Sequence, residues 1–383
     1  MSLFRKNMFS YKQAKGKARL GALRTNHGTL QTPFFMPDAT RASVRGVSGT
    51  DMQTSGVEAL VVNTYHLMLQ PGSSYIRDVL GVHAFMGWDR PILSDSGGYQ
   101  VYSLIHKNPD LGRITEKGAE FRSVLDGSKH TLTPERAIEI QFDLGVDMMV
   151  CLDDPRPNDA SEKDLSDAVS RTFRFAERCR KEYDRQLSIR GIEDEDRPLL
   201  FGVIQGGPIA DLRKEAVAGL TAFGFDGYGF GGRHIDSDGV FLEEVLKAAV
   251  EGIPPSAPRF GLGIGTPHDI VRCFEQGWDM FDCVIPTREG RHGRLFVWNH
   301  EGVGGENLAE GNFYATLNIQ NERYKNDMTR VEEACDCTLC ANHTRAYLRH
   351  LFRIGDPLAL RLATIHNLRF YARLIAVLRS MSE

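Results

Sequence analysis

The sequence predicts an α/β fold: a (β/α)8 TIM barrel with an appended C-terminal helical subdomain. Three observations predict it. Eight short apolar runs recur along the first three quarters of the chain, most gaps between them carry helical periodicity, and many runs end in polar residues or glycine. The division is expected at residues 1–298 for the barrel and 299–383 for the appended part.

The apolar runs are residues 33–37, 59–63, 91–94, 148–152, 199–204, 227–230, 259–264 and 280–285. Each is short enough for a buried parallel strand and too continuous for an amphipathic helix. Helices are expected between them. The stretch 161–183 starts at a Ser161 cap and lines up Leu165, Val169, Phe173 and Ala176 on one face. Further helices are expected over 211–223 and 267–276. An open doubly wound sheet is the alternative, but it calls for a glycine-rich loop after the first strand, and Phe35-Met36-Pro37-Asp38 is not one.

The run ends carry the functional signal. They hold Asp95-Ser96-Gly97-Gly98, Asp153-Asp154, Gln205-Gly206-Gly207 and Gly231-Gly232, while the eighth run contains Asp282. Barrel enzymes place their chemistry on the C-terminal face of the sheet. Any one of these ends is explained by turns and helix caps; five together point to a site. Beyond the eighth run lie a basic loop (Arg288, Arg291, His292, Arg294), a polar stretch over 299–312 and a helical tail over 344–379. Residues 191–198, with four consecutive acids, read as an exposed acidic loop.

Composition narrows the class. Hydrophobic residues make up 42% and charged residues 25%, an ordinary globular balance, and no apolar run is long enough to span a bilayer. No secretory signal is visible at the N-terminus, so a cytoplasmic location is expected. The formal net charge of -4 means that a polyanion must be met by a local basic patch. The basic loop is one candidate. The tail from Cys335 onward, with seven arginines and three acids, is another.

Of seven cysteines, four are scattered in apolar surroundings, and Cys335, Cys337 and Cys340 fall within six residues. Three thiolates on one turn suit zinc, which wants a fourth nitrogen or sulfur ligand. His350 and His366 are both available in the tail, and spacing does not choose between them. A closed site of three cysteines and one histidine leaves no open position, so the ion is expected to be structural.

Several motifs carry a resemblance. Ser94-Asp95-Ser96-Gly97-Gly98-Tyr99-Gln100-Val101, Asn63-Thr64-Tyr65-His66-Leu67, Gln205-Gly206-Gly207, the run Asp279 to Arg288 and the cysteine cluster occur in order. Together they resemble the tRNA-guanine transglycosylases of bacterial type, from about Gly28 to about Tyr371. The resemblance implies exchange of guanine at the anticodon wobble position for a 7-deazaguanine, expected to be 7-aminomethyl-7-deazaguanine, in queuosine modification. It implies Asp282 as nucleophile on the ribose and Asp95 as the proton-handling carboxylate, the pair that a retaining exchange needs. It implies a base pocket of Ser96, Gly97, Gly98, Tyr99, Asp153, Gln205, Gly231, Gly232 and Leu262. There Asp153 would accept from the guanine N–H donors, and Gln205 and the Gly232 N–H would donate to O6. It further implies RNA contacts at Gly263, Asp269, Thr287, Arg288 and Arg291, His366 as the fourth zinc ligand, and a homodimer.

Three departures from the family pattern bear on the base. Arg233-His234 follow Gly231-Gly232, where small or aliphatic residues are usual; Asp153-Asp154-Pro155-Arg156 replaces an Asp-Glu-Cys run; and Asp38 stands at a usually apolar position. An arginine aimed at the 7-substituent would repel an ammonium and tolerate a nitrile. The other readings are the same chemistry with queuine or 7-cyano-7-deazaguanine, the same chemistry on DNA, a non-catalytic partner subunit, and a barrel enzyme acting on a phosphorylated metabolite.

Overall fold

A computed structural model describes residues 8–14, 16–299, 308 and 311–381. The N-terminal hexapeptide and most of the polar stretch over 299–312 lie outside them. The described chain opens with an antiparallel sheet of β1 (Phe9–Gln13), β2 (Arg19–Thr25) and β3 (Gly28–Thr32). The barrel follows with β4 (Phe34–Pro37), β5 (Leu60–Asn63) and β6 (Ile92–Asp95). A second antiparallel sheet, β7 (Gly112–Thr115), β8 (Gly118–Arg122) and β9 (Lys129–Leu132), interrupts it. The barrel resumes with β10 (Met148–Val150), β11 (Leu199–Ile204), β12 (Gly227–Phe230), β13 (Arg259–Gly261) and β14 (Met280–Cys283), and a hairpin of β15 (Arg294–Trp298) and β16 (Tyr314–Asn318) comes after.

All eight expected runs lie in one parallel sheet, with neighbours β5-β6-β10-β11-β12-β13-β14-β4. The Asp38–Val61 bridge, with Ala39 N donating to Val61 O at 2.7 Å, closes β4 onto β5. Side chains fill the interior: Phe34, Met36, Val61, Leu93, Met148, Val150, Phe201, Val203, Phe260 and Met280 form one buried cluster. Phe9, Leu23 and Leu30 of the N-terminal sheet join that cluster and plug the floor. Glycines give the large side chains room: a Cβ on Gly227 would lie 2.3 Å from the Phe201 ring, and one on Gly229 would lie 2.2 Å from Leu262.

The helices are α1 (Gly49–Thr54), α2 (Thr64–Leu69), α3 (Ser73–Asp78), α4 (Gly81–Met86), α5 (Gly98–Lys107), α6 (Pro134–Leu144), α7 (Glu162–Arg190), α8 (Ala210–Thr221), α9 (Glu243–Gly252), α10 (Pro267–Glu275), α11 (Ile285–Arg291), α12 (Thr338–Asn342), α13 (Arg345–Ile354) and α14 (Pro357–Ser380). Ser161 caps α7 as expected, accepting from Asp164 N, but the helix runs on to Arg190 and stops at Gly191 in the left-handed region. The tail is two helices instead of one. Gly355, at φ 70°, ends α13, and Pro357 opens α14. The four acids of 193–196 are exposed, as the acidic loop requires.

Six of the seven tail arginines, a candidate RNA-facing surface, are engaged in ion pairs. Arg345, Arg349, Arg361, Arg369, Arg373 and Arg379 pair with Asp327, Glu322, Asp51, Asp336, Glu332 and Glu58. These pairs tie the tail to itself and to the barrel.

Candidate active site

The C-terminal ends of the strands surround a cavity of about 490 Å³. It is lined by Asp95, Ser96, Gly97, Gly98, Tyr99, Asp153, Gly231, Gly232, Leu262, Gly263, Asp269, Asp282 and Arg288, among others. Thirteen residues singled out in the sequence therefore meet at one place.

Asp95 ends β6. Its Oδ2 accepts from Asn63 Nδ2 at 2.6 Å and from Gln100 Nε2 at 3.3 Å, and its Oδ1 accepts from Gly97 N at 3.1 Å. Burial pushes its carboxyl up to about 7 against the pull of Asn63, and the charges of Asp282 and Asp38 push the same way. Asp282, on β14, accepts from Gly263 N at 2.8 Å. Burial raises it to about 7 against that N–H, and Asp38 adds to the rise. Asp38 stands between them at the end of β4, anchored by Thr40 N at 2.8 Å. Its side chain is not among those lining the cavity.

Asp153 and Asp154 separate by direction. Asp153 faces the cavity, and its Oδ2 accepts from Gln205 Nε2 at 2.6 Å. Burial raises it to about 6 despite Gln205, with Asp154 contributing. Asp154 turns back toward α7, fully buried, and pairs with Arg156 and Arg171. Gln205 stands one layer behind the cavity wall, its amide nitrogen already engaged with Asp153. Tyr99 is 53% exposed at the rim and so presents a free ring face.

The residues expected to touch RNA divide. Arg288 is exposed on α11 and reaches the cavity rim. Arg291 is half-buried near Arg45, whose charge together with burial lowers its pKa. Thr287 is placed otherwise than expected: it is 1% exposed and donates to Val284 O at 3.1 Å, so its hydroxyl holds the start of α11. Asp269 points inward, pairs with His234 Nε2 at 3.1 Å and lines the cavity. Arg233 is exposed at the rim, with its carbonyl held by Asn158 Nδ2 at 3.1 Å.

Sequence reasoning missed Arg41 and Arg45. Both are exposed on the loop after β4, and neither is in an ion pair among the described residues. Their place after a barrel strand was the available signal. Asn63, named in its motif without a role, caps α2 through Oδ1 while its amide nitrogen holds Asp95.

In the tail, His366 Nδ1 lies 3.7, 3.6 and 3.3 Å from the sulfurs of Cys335, Cys337 and Cys340. A tetrahedral zinc with ordinary bond lengths would give sulfur–nitrogen edges of roughly 3.5 Å. All four residues are buried, and His366 Nε2 is 2.7 Å from Phe296 O, which fixes the proton there and leaves Nδ1 free for a metal. These four residues can hold a metal ion. Asn367 carries the link onward, donating to Pro286 O at 2.9 Å in the first turn of α11 and to Arg294 O at 3.0 Å at the start of β15.

Comparison with known proteins agrees with this layout. Residues 14–381 match the family model for queuine tRNA-ribosyltransferase. The chain is 41% identical over 374 residues to a queuine tRNA-ribosyltransferase of Novosphingobium aromaticivorans, covering 97% of this chain and 94% of that one. It is 41% identical over 369 residues to that of Halothermothrix orenii (96% and 91%), and 39% identical over 376 residues to that of Zymomonas mobilis (98% and 91%). The chain belongs to the queuine tRNA-ribosyltransferase family, whose members are pentosyl-transferring enzymes.

Proposed function

We propose that this family member is a tRNA-guanine transglycosylase that replaces guanine at the wobble position with a 7-deazaguanine through a covalent aspartyl–ribose intermediate. The observation that carries the reading is the meeting of Asp282, Asp95 and Asp153 in one cavity, each with an elevated pKa and none paired with a cation among the described residues. A pocket built only for binding would not hold three such carboxylates.

The exchange runs in two balanced halves. Ionised Asp282 attacks C1′ of the ribose, the C1′–N9 bond breaks, and Asp95 passes its proton to the departing guanine. The incoming base then gives its N9 proton back to Asp95, its nitrogen attacks C1′, and the Asp282–ribose bond breaks. Asp153 accepts from the N1–H and N2–H donors of either base, and the Gly232 N–H donates to O6. The target nucleotide must leave the anticodon stack to reach this depth. Arg288 at the cavity rim, Arg291 and Arg45 near it, and Arg41 on the loop after β4 are taken to hold the phosphates.

We take the incoming base to be 7-aminomethyl-7-deazaguanine. Asp269 supplies a carboxylate inside the cavity for its ammonium, while Arg233 sits at the exposed rim. A displacement assay tests both parts. tRNA carrying labelled guanine at the wobble position should release it on addition of the aminomethyl base. Release only by the cyano base or queuine keeps the chemistry and reassigns the base to Arg233 and His234. Retention of label with all three defeats the reading.

The metal is proposed to be one structural zinc per chain, held by Cys335, Cys337, Cys340 and His366 and outside every step of the reaction. Cys337→Ser should drop zinc content from about one per chain toward zero; unchanged metal in the purified variant would refute the ligand set. Residues 1–298 are proposed as the catalytic barrel and 299–383 as the subdomain that the zinc pins. Among the described residues no helix is long and apolar enough to cross a membrane. A cytoplasmic homodimer, with one subunit acting while the other helps to hold the RNA, completes the proposal.

A further inference from the structure

Arg213 lies on α8 with no exposed surface. It shares a helical face with the buried Ala216, Val217 and Leu220, a position where an apolar residue belongs. Among the described residues it makes no ion pair. Its Nε donates to Gly207 O at 3.0 Å, and its Nη1 donates to Ile204 O at 2.5 Å and to Gly231 O at 2.8 Å. The guanidinium carbon sits 3.9 Å from the centre of the Phe230 ring. Nη2 has no partner, although it is buried. A buried cation held only by carbonyls and an aromatic face is costly, and burial lowers its pKa to about 9. The molecule retains it next to the candidate pocket.

The three carbonyls explain what it does. They stand at the ends of two adjacent strands, β11 and β12, just where Gln205 and the Gly231-Gly232 pair begin. The Gly231 carbonyl and the Gly232 N–H belong to one planar trans peptide and point in opposite directions. Arg213 pulls the carbonyl outward, toward the helix layer. The Gly232 N–H is thereby turned inward, and it donates to no described residue. Gly232 itself has φ 84°, and a Cβ there would come within 3.6 Å of Gln205 Oε1 and 3.7 Å of Arg213 Nη2. The peptide is therefore locked from behind by a planar fork that spans both strand ends, which a lysine could not do.

We infer that Arg213 is a positioning residue for base recognition: by gripping the Gly231 carbonyl it aims the Gly232 N–H at O6 of the bound base and polarises that peptide. The inference rests on the base pocket proposed above. A hydrogen bond at the carbonyl end of a peptide strengthens the donor at its other end. Guanine leaving C1′ gains negative charge that spreads to O6, so the donor is worth more in the transition state than in the bound ground state. Arg213 should thus act on turnover as well as on base choice.

The test compares guanine with 6-thioguanine as incoming bases. The thio base keeps both N–H donors and exchanges O6 for a poorer acceptor. In the unmodified protein guanine should win in kcat/KM. In Arg213→Met and Arg213→Lys the preference should fall by about 10-fold or more, with kcat for guanine reduced and tRNA affinity retained. A folded variant that loses activity equally on both bases, with the preference intact, overturns the inference and leaves Arg213 a packing residue. An unmodified protein that exchanges neither base overturns the pocket reading and this inference with it. Should both variants fail to fold, glycine-labelled unmodified protein decides by amide resonance. The Gly232 amide should shift further with guanine than with 6-thioguanine, and equal shifts overturn the inference.

Discussion

Buried carboxylates stand at both ends of this barrel, and their neighbours differ in kind. At the floor, Asp147 Oδ1 takes His27 N at 3.0 Å and His27 Nδ1 at 2.9 Å, while Oδ2 takes Ile92 N at 2.9 Å and lies 3.2 Å from His83 Nε2. Asp279 is gripped by Arg19 and by Arg259 N. At the mouth, Asp95, Asp153 and Asp282 meet only amides. The contrast shows in the acidity of Asp147, whereas burial outweighs Arg19 at Asp279 and raises it. The hydrogen bonds and charges of His27 and His83 outweigh burial and hold Asp147 far below the usual carboxylate range, whereas burial lifts the mouth carboxylates to about 6 or 7. The floor carboxylates are held by histidine or arginine side chains, and those at the mouth are held by amides alone.

The largest expected break in this comparison is Asp282→Asn. Exchange should fall on the order of 10⁴-fold, and the RNA adduct on a denaturing gel should vanish while tRNA retention on a filter stays near normal. An adduct that persists would remove Asp282 from its role.

Next in size is the pH profile. The proposed exchange uses Asp282 ionised and Asp95 protonated, and burial raises both to about 7. Exchange should therefore peak near neutrality and fall about 10-fold per pH unit well to either side. A rate that is flat from pH 5 to 9 would mean that neither group titrates in the reaction.

At the floor, Asp147→Asn should cost on the order of 3 kcal/mol in denaturant unfolding and leave activity per folded molecule unchanged. The sign of its pH dependence follows from both partners. Asp147 is depressed in the fold, so its contribution is present above the unfolded value of 3.8 and fades as pH falls through the folded one. His27 is raised, chiefly by its hydrogen bond to Asp147, so its contribution is present below 6.5 and is lost as pH rises through its folded value. The variant's deficit should be greatest between about pH 4 and 6.5, and a deficit that grows above pH 8 would contradict the pairing.

The smallest effect sharpens the contrast. Asp282 is raised from 3.8 to about 7 in the fold, so its cost to stability is absent below 3.8, grows as pH rises between the two values and is complete above about 7. Asp282→Asn should melt a few degrees higher than the unmodified protein at pH 8, with a smaller gap at pH 5 that closes below the unfolded value of 3.8. A gap of the same size at both pH values would show that strain, not charge, is relieved.

Much of this molecule was legible in its sequence. The barrel strands are buried on both faces, so each appears as an uninterrupted apolar run. The two antiparallel sheets were not seen: β1 is mostly exposed, and β7 to β9 are four or five residues long and half wet, too short for a pattern. The cysteine spacing gave the metal cluster, but only resemblance chose His366 over His350, and the geometry places His366 against the three sulfurs. Composition left the tail open, because a count of arginines does not show their acidic partners. Arg213 was not singled out within the helix expected over 211–223, although its place on the apolar face with Ala216, Val217 and Leu220 is visible in the sequence.

The last helix returns to the first barrel strand. Arg379 Nε on α14 donates to Pro33 O at 2.9 Å across 346 residues of sequence, and Tyr371 lies 4.7 Å, ring to ring, from Phe35 on β4. A nascent chain makes β4 early and must wait for its cover. At roughly 5–20 residues per second the delay is about 20–70 s. For most of that interval the strand lacks its lateral neighbour β14, and throughout it lacks the helix that hides Phe35. The barrel therefore gains its last cover only after α14 has been made, and until then Phe35 on β4 is an uncovered apolar side chain.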